Sequence, residues 1–152
     1  MLREITSSRR TEGAYQRHWY QDDLFDLYVW LDDAGAIAHF QLAYDKPTIE
    51  KALDWKREDG FMHYRVNQYA ADNRGSMTPL LILDPEFPKQ RVIREFDTCS
   101  TSIDIGVANF VAQMLHIAPN YYYQDNRIKW AAAGVAAGAL FPLWREIGRA
   151  HV

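Results

Sequence analysis

The chain has a single cysteine, Cys99, in 152 residues. One thiol excludes an internal disulfide framework and fits a reducing, cytoplasmic setting. No side chain beside it is clearly electropositive, so the thiol reads as a small buried apolar group rather than a nucleophile. Positive charge is not in excess either: the formal net charge is −3, which gives no basic surplus to attract phosphates, and nucleic acid is not expected as a partner. The opening residues MLREITSSRRTEG contain no apolar run of signal-peptide length. There is no P-loop, no GxGxxG, no GxSxG, no HExxH and no CxxC. Neither a cofactor nor a metal site is therefore expected, and no residue is assigned as catalytic.

What the chain does have is aromatic bulk, 14% of residues, within an ordinary globular balance of 48% hydrophobic and 24% charged residues. The stretch Leu24 to Tyr44 organises the rest and reads as a long β-hairpin. Phe25, Leu27, Val29 and Leu31 alternate on one side of the turn cluster Asp32-Asp33-Ala34-Gly35; Ala38, Phe40, Leu42 and Tyr44 alternate on the other. A four-residue loop pairs Leu31 with Ala36 and Val29, Leu27 and Phe25 with Ala38, Phe40 and Leu42. A three-residue loop pairs Leu31 with Ile37 and Tyr28 with Phe40 instead. In the first register the opposite face is mixed: Asp26, Tyr28 and Trp30 against Gln41, His39 and Ile37.

A second hairpin is expected from Glu50 to Asn67, turning at Asp59-Gly60. A two-residue loop there pairs Trp55 with Tyr64, Leu53 with Val66 and Asp54 with Arg65, which places Asp54, Lys56, His63 and Arg65 among groups of an exposed strand face. Arg17-His18-Trp19-Tyr20 reads as a first strand, Gln68 to Thr78 as a loop, and Pro79 to Leu83 as a last strand. Pro88 to Phe96 reads as a helix with Pro88 in its first position. A second helix runs from Ser102 or Asp104 to His116, with Ile105, Ala108, Val111, Ala112 and Leu115 in one stripe.

The sequence therefore predicts an α+β domain over residues 15–118: an antiparallel meander sheet of about five or six strands, with two C-terminal helices packed on one face. Trp30, Trp55, Phe40 and Tyr64 are expected to be substantially buried. Residues 1–14 read as a flexible polar arm, and residues 119–145 as a Tyr- and Ala-rich tail with helical character. Gly134 and Gly138 give that tail a GxxxG spacing, but its apolar run, Trp130 to Trp144, is shorter than the about 20 residues a membrane span needs. A membrane role for 128–145 is left open, not assigned. The end, Ile147-Gly148-Arg149-Ala150-His151-Val152, resembles one reading frame of a widely used sequencing adapter. Residues 146–152 are accordingly set aside as an expected artefact of a metagenomic gene, with the natural C-terminus unassigned.

Five side chains make the best ligand-binding candidate: Asp26, Tyr28, Trp30, His39 and Gln41, convergent polar groups beside aromatic walls. The bland alternative is a partly solvated sheet face. His39 beside an acid is also placed to act as a general base. The other histidines, His18, His63, His116 and His151, carry no ligand spacing.

The segments RHWYQDDLFDLYVW, FQLAYDK and ALDW, within Arg17 to Trp55, resemble an uncharacterised family of small bacterial proteins. That resemblance implies a compact bacterial domain and transfers no activity. The function expected first is a non-catalytic binding or interaction module for a protein or small-molecule partner. The alternatives are a small enzyme using His39 with Asp26 or Tyr28, and a truncated membrane-attached protein.

Overall fold

A computed structural model describes residues 1–67 and 80–122. The expected loop over 68–78, the tail helix and the adapter-like end lie outside the described residues. Among the described residues the chain forms an antiparallel sheet of eight strands followed by two helices. The strands are β1 (Arg3–Glu4), β2 (Arg10–Glu12), β3 (Tyr15–Gln21), β4 (Asp26–Leu31), β5 (Ile37–Tyr44), β6 (Lys51–Lys56), β7 (Gly60–Asn67) and β8 (Leu80–Leu83). The helices are α1 (Lys89–Cys99) and α2 (Ile105–Ile117). From β3 to β8 each strand pairs with the next, a pure meander. The α+β architecture is as the sequence predicts, with a somewhat larger strand count.

The additional strands come from the start of the chain. Residues 1–14 are not a frayed arm: β1 pairs with the end of β3 at Gln21 and Tyr20, and β2 pairs with its beginning at Tyr15 to Arg17. Leu2 is buried, and its N–H donates to the Cys99 carbonyl at 2.9 Å. The Ser102 hydroxyl donates to the Leu2 carbonyl at 2.6 Å. One apolar side chain thus anchors the terminus at the junction between the helices, a contact that polar composition alone did not reveal.

In the first hairpin the alternative pairing of Leu31 with Ile37 is adopted at the turn, but neither predicted register continues beyond it. Leu31 pairs with Ile37, then Ala38 bulges out, and Trp30, Val29, Tyr28 and Leu27 pair with His39, Phe40, Gln41 and Leu42. The loop is held by Asp32, whose Oδ1 accepts from the N–H groups of Ala34 and Ala36. This register lies two residues from the four-residue-loop version. Because side chains alternate with period two, Asp26 to Trp30 and His39 to Tyr44 keep their expected faces, but the bulge turns Ile37, expected on the mixed face, into the helix-facing core.

The second hairpin differs by three residues, an odd number, so its faces are exchanged. Trp55 pairs with Phe61, Asp54 with Met62, Leu53 with His63 and Ala52 with Tyr64. The Asp59 N–H closes a turn onto the Lys56 carbonyl at 3.1 Å, and Gly60 follows at φ +81°. Gly60 is therefore the left-handed residue after a turn, not the second residue of a two-residue loop. As a result Trp55 and Tyr64 lie on opposite faces, and Asp54 and His63 are buried rather than exposed.

One face of the sheet carries Phe25, Leu27, Val29, Phe40, Leu42, Tyr44 and Leu53, packed in one core with Val92, Ile93 and Phe96 of α1 and Val107, Val111 and Leu115 of α2. Phe96 meets Phe25 edge-on at 6.0 Å, and Phe110 meets Phe40 edge-on at 6.4 Å. Pro88 sits just before α1 instead of in its first turn, and the helix runs one turn past Phe96. Asp104 caps α2, its Oδ2 accepting from the Val107 N–H at 3.0 Å. The buried line on α2 has a spacing of four. Ile105, expected in the stripe, is 76% exposed because it opens the helix ahead of the first residue that reaches the sheet. Trp30, Phe40 and Tyr64 are buried, and Trp55 is half-buried against Phe110.

Candidate functional site

The face turned away from the helices carries the polar chemistry. Strand register sets it out in rows. Arg17, Trp30, His39 and Lys56 are aligned across β3 to β6; next come Trp19, Tyr28, Gln41 and Asp54; then Gln21, Asp26, Ala43 and Ala52. All five side chains nominated from the sequence, Asp26, Tyr28, Trp30, His39 and Gln41, lie on this face. Their exposure differs sharply. Asp26, Tyr28 and Gln41 are fully buried and Trp30 nearly so, while the His39 side chain keeps 17% of its surface exposed.

His39 is held on two sides. Its ring stacks flat on Trp30, centroids 4.0 Å apart and planes within 8°. Its Nε2 lies 2.6 Å from Asp54 Oδ1. A carboxylate oxygen accepts, so Nε2 carries the proton and Nδ1 is the remaining site for proton exchange. Nδ1 makes no hydrogen bond among the described residues. Trp30 is fixed in turn by Glu12, whose Oε2 accepts from the indole N–H at 2.8 Å. The acid beside His39 is thus Asp54, which the expected second-hairpin register had turned toward solvent. Asp26 stands across from Ala43, four residues along β5 from His39, or about 13 Å at the usual rise of a strand.

Tyr28 and Asp26 are engaged inside the fold. Trp19 stacks on Tyr28 at 5.5 Å, and the Arg17 guanidinium lies over the Tyr28 ring at 5.4 Å. The Trp19 indole N–H donates to Asp26 Oδ1 at 3.0 Å, and Lys46 Nζ lies 3.3 Å from Asp26 Oδ2. Lys46 also donates to the Asp22 carbonyl at 2.6 Å.

Gln41 is different. Its residue is wholly buried, yet neither its Oε1 nor its Nε2 has a hydrogen-bond partner among the described residues. Each unpaired buried amide atom costs about 1–3 kcal/mol. Within reach of the charges of Asp26 and Lys46 lies a carboxyl that the sequence did not single out. Glu50 is 6% exposed. Burial pushes its carboxyl up to about 7, the negative charge of Asp26 adds to the rise, and Lys46 opposes it. Its position on the polar face follows from period-two alternation with Ala52 and Asp54, the signal that would have found it.

No protein-family model matches the chain. Nor does any curated protein or any solved structure. The reading of the site therefore rests on its geometry.

The remaining candidates fall elsewhere. His63 is buried on the helix-facing side, between Tyr44, Phe87 and Tyr122. His18 lies 3.5 Å from Glu4, and His116 is exposed in the last turn of α2. Cys99 is a buried free thiol whose burial pushes its pKa up. Among the described residues no group of three or more His, Cys, Asp or Glu is placed to hold a metal ion, and no helix is long and apolar enough to cross a membrane.

Proposed function

We propose that the protein is a small, non-catalytic binding module that takes a polar molecule on the sheet face opposite its helices. Gln41 is the observation that carries this reading. A buried carboxamide with both atoms unpaired is a standing cost to the fold, which a leucine of similar size would remove. Such a group is well suited to a ligand that supplies the missing donor and acceptor. The aromatic stacks Trp19–Tyr28 and Trp30–His39 hold the flanking residues rigid, so little ordering is required on binding.

A thermal-unfolding screen of small polar molecules against the full chain tests this. Binders on this face raise the melting temperature of the natural protein and lose that effect in Gln41→Leu. Molecules that stabilise both proteins equally would place the ligand elsewhere and remove the reading.

One distance favours a second reading, a small enzyme. Asp54 orients His39 at 2.6 Å, the arrangement in which a carboxylate fixes an imidazole that acts as a general base. This version uses Asp54 in place of Asp26 or Tyr28. Under it, His39→Gln abolishes turnover of a substrate while leaving its binding intact. In either reading the protein works in the reducing cytoplasm, which the free buried Cys99 supports. A bacterial source is the part of the proposal that rests on the family resemblance.

A further inference from the structure

The charge of the ligand can be narrowed at one corner of the polar face, an inference that rests on reading that face as a binding face. His39 and Lys56 are register partners on β5 and β6, so their Cβ atoms stand about 5 Å apart on the same side of the sheet. Both residues are half-buried. Lys56 makes no hydrogen bond, ion pair or ring contact among the described residues. Its ammonium carries three donors and no acceptor answers them. Its partner on the other flank is Gly60, and nothing lies within 4 Å of the place a Cβ would take there. The sheet therefore leaves open space beside Lys56, on the side away from His39.

His39 is held so that one edge stays available. Its ring face lies on Trp30 and its Nε2 on Asp54. Nδ1 faces away from Asp54 and has no partner among the described residues. The charged groups around the pair are Asp54 on β6, Glu12 and Arg17 behind Trp30 on β2 and β3, and the exposed Glu58 and Asp59 in the turn before β7. Asp54 is spent on His39, and Glu12 on the Trp30 indole and Arg10. Neither turn carboxylate pairs with Lys56. A cation at this corner would meet the Lys56 charge and find a single ring nitrogen to accept from it.

We infer that His39 and Lys56 together bind an oxyanion, either a planar carboxylate or a tetrahedral group of the sulfate or phosphate kind. One oxygen accepts from the Lys56 ammonium. Another accepts from Nδ1, which then carries a proton as Nε2 does. The imidazolium so formed keeps Asp54 as its counter-ion at Nε2. Binding thus takes up one proton, and affinity falls as pH rises through the range in which imidazoles titrate. The fall is up to about tenfold for each pH unit over which His39 is doubly protonated only in the complex.

The test uses the full chain with isotope-labelled histidine, the His39 signals assigned by their loss in His39→Gln. The probes are propionate, sulfate, propionamide and propylammonium, each titrated at pH 6 and pH 8 at constant ionic strength. Expected is a shift of His39 Nδ1 to its protonated position with one or both oxyanions, tighter at pH 6. The oxyanion that binds distinguishes a planar from a tetrahedral ligand. Lys56→Gln should weaken that binding by roughly tenfold or more, while Lys89→Gln, on α1 across the sheet, should leave it unchanged. Movement with propionamide or propylammonium but with neither oxyanion overturns the oxyanion assignment and leaves the binding reading standing. Equal weakening in the two lysine variants would mean non-specific attraction and overturns it as well. Silence of His39 toward all four does the same, and the wider screen in Gln41→Leu then decides the binding reading separately.

Discussion

Tyr44 and His63 meet at 2.6 Å between phenol Oη and ring Nε2, deep in the helix-facing core. The direction of that bond is determined by the other ring nitrogen. His63 Nδ1 lies 3.1 Å from the Asp84 carbonyl, which can only accept, so Nδ1 carries the proton and Nε2 accepts from Tyr44. The Asp84 N–H returns a bond to the His63 carbonyl at 3.0 Å. Burial pushes the imidazole down to about 4, against the opposing influence of Asp84. His63 is thus a neutral structural histidine that ties β7 to the turn after β8.

Long-range nitrogen–proton NMR should therefore report His63 as the Nδ1–H tautomer and His39 as carrying its proton on Nε2. Tyr44→Phe leaves His63 Nε2 buried and unpaired, and should destabilise the protein by about 1–3 kcal/mol in chemical unfolding.

His63 and Glu50 set up opposing pH dependences over nearly the same window. The folded pKa of His63 is below its ordinary 6.5, so its contribution is full above 6.5 and lost as pH falls toward about 4. The folded pKa of Glu50 is above its ordinary 4.5, so its contribution is full below 4.5 and lost as pH rises toward about 7. Each is worth on the order of 3 kcal/mol, and between pH 4.5 and 6.5 they offset. Glu50→Gln should reveal a rise in stability with pH across that range, and His63→Phe a fall. Denaturant titrations at several pH values check both slopes.

Gly60 follows its turn at φ +81°, a conformation that L side chains rarely adopt, although nothing would obstruct a Cβ there. Gly60→Ala should cost roughly 1–2 kcal/mol, and Gly60→Asn distinctly less, because asparagine tolerates the left-handed region. Equal losses in the two variants would count against the turn described.

Removal of the α2 cap by Asp104→Ala should cost about 1 kcal/mol and leave the Gln41 and His39 resonances in place, since the cap lies on the other side of the sheet.

The two hairpins show how far the sequence could be read. Alternation of Phe25, Leu27 and Val29 against Phe40 and Leu42 sorted the first hairpin correctly by face, because an error of two residues preserves parity. The bulge at Ala38 has no sequence mark. In the second hairpin Asp59-Gly60 suggested a tight loop, but glycine serves equally well as the left-handed residue after a longer turn. An error of three residues followed, and it concealed Asp54, the acid that meets His39. Helix positions were legible from Asp104 and from the period of Val107, Val111 and Leu115. β1 and β2 were not, because strands of two and three residues carry no periodicity. That the five candidate residues share one face was legible from alternation; that Gln41, not His39, is the anomalous one depends on hydrogen bonding, which composition does not report.

The central claim is that Gln41 is kept at a cost to the fold. The direct measurement is the melting temperature of Gln41→Leu beside that of the natural protein, without added ligand. A rise of roughly 2–8 °C is predicted, from the removal of unpaired buried amide atoms in a chain of this size. A fall would mean that the amide is satisfied within the protein, and would contradict the account.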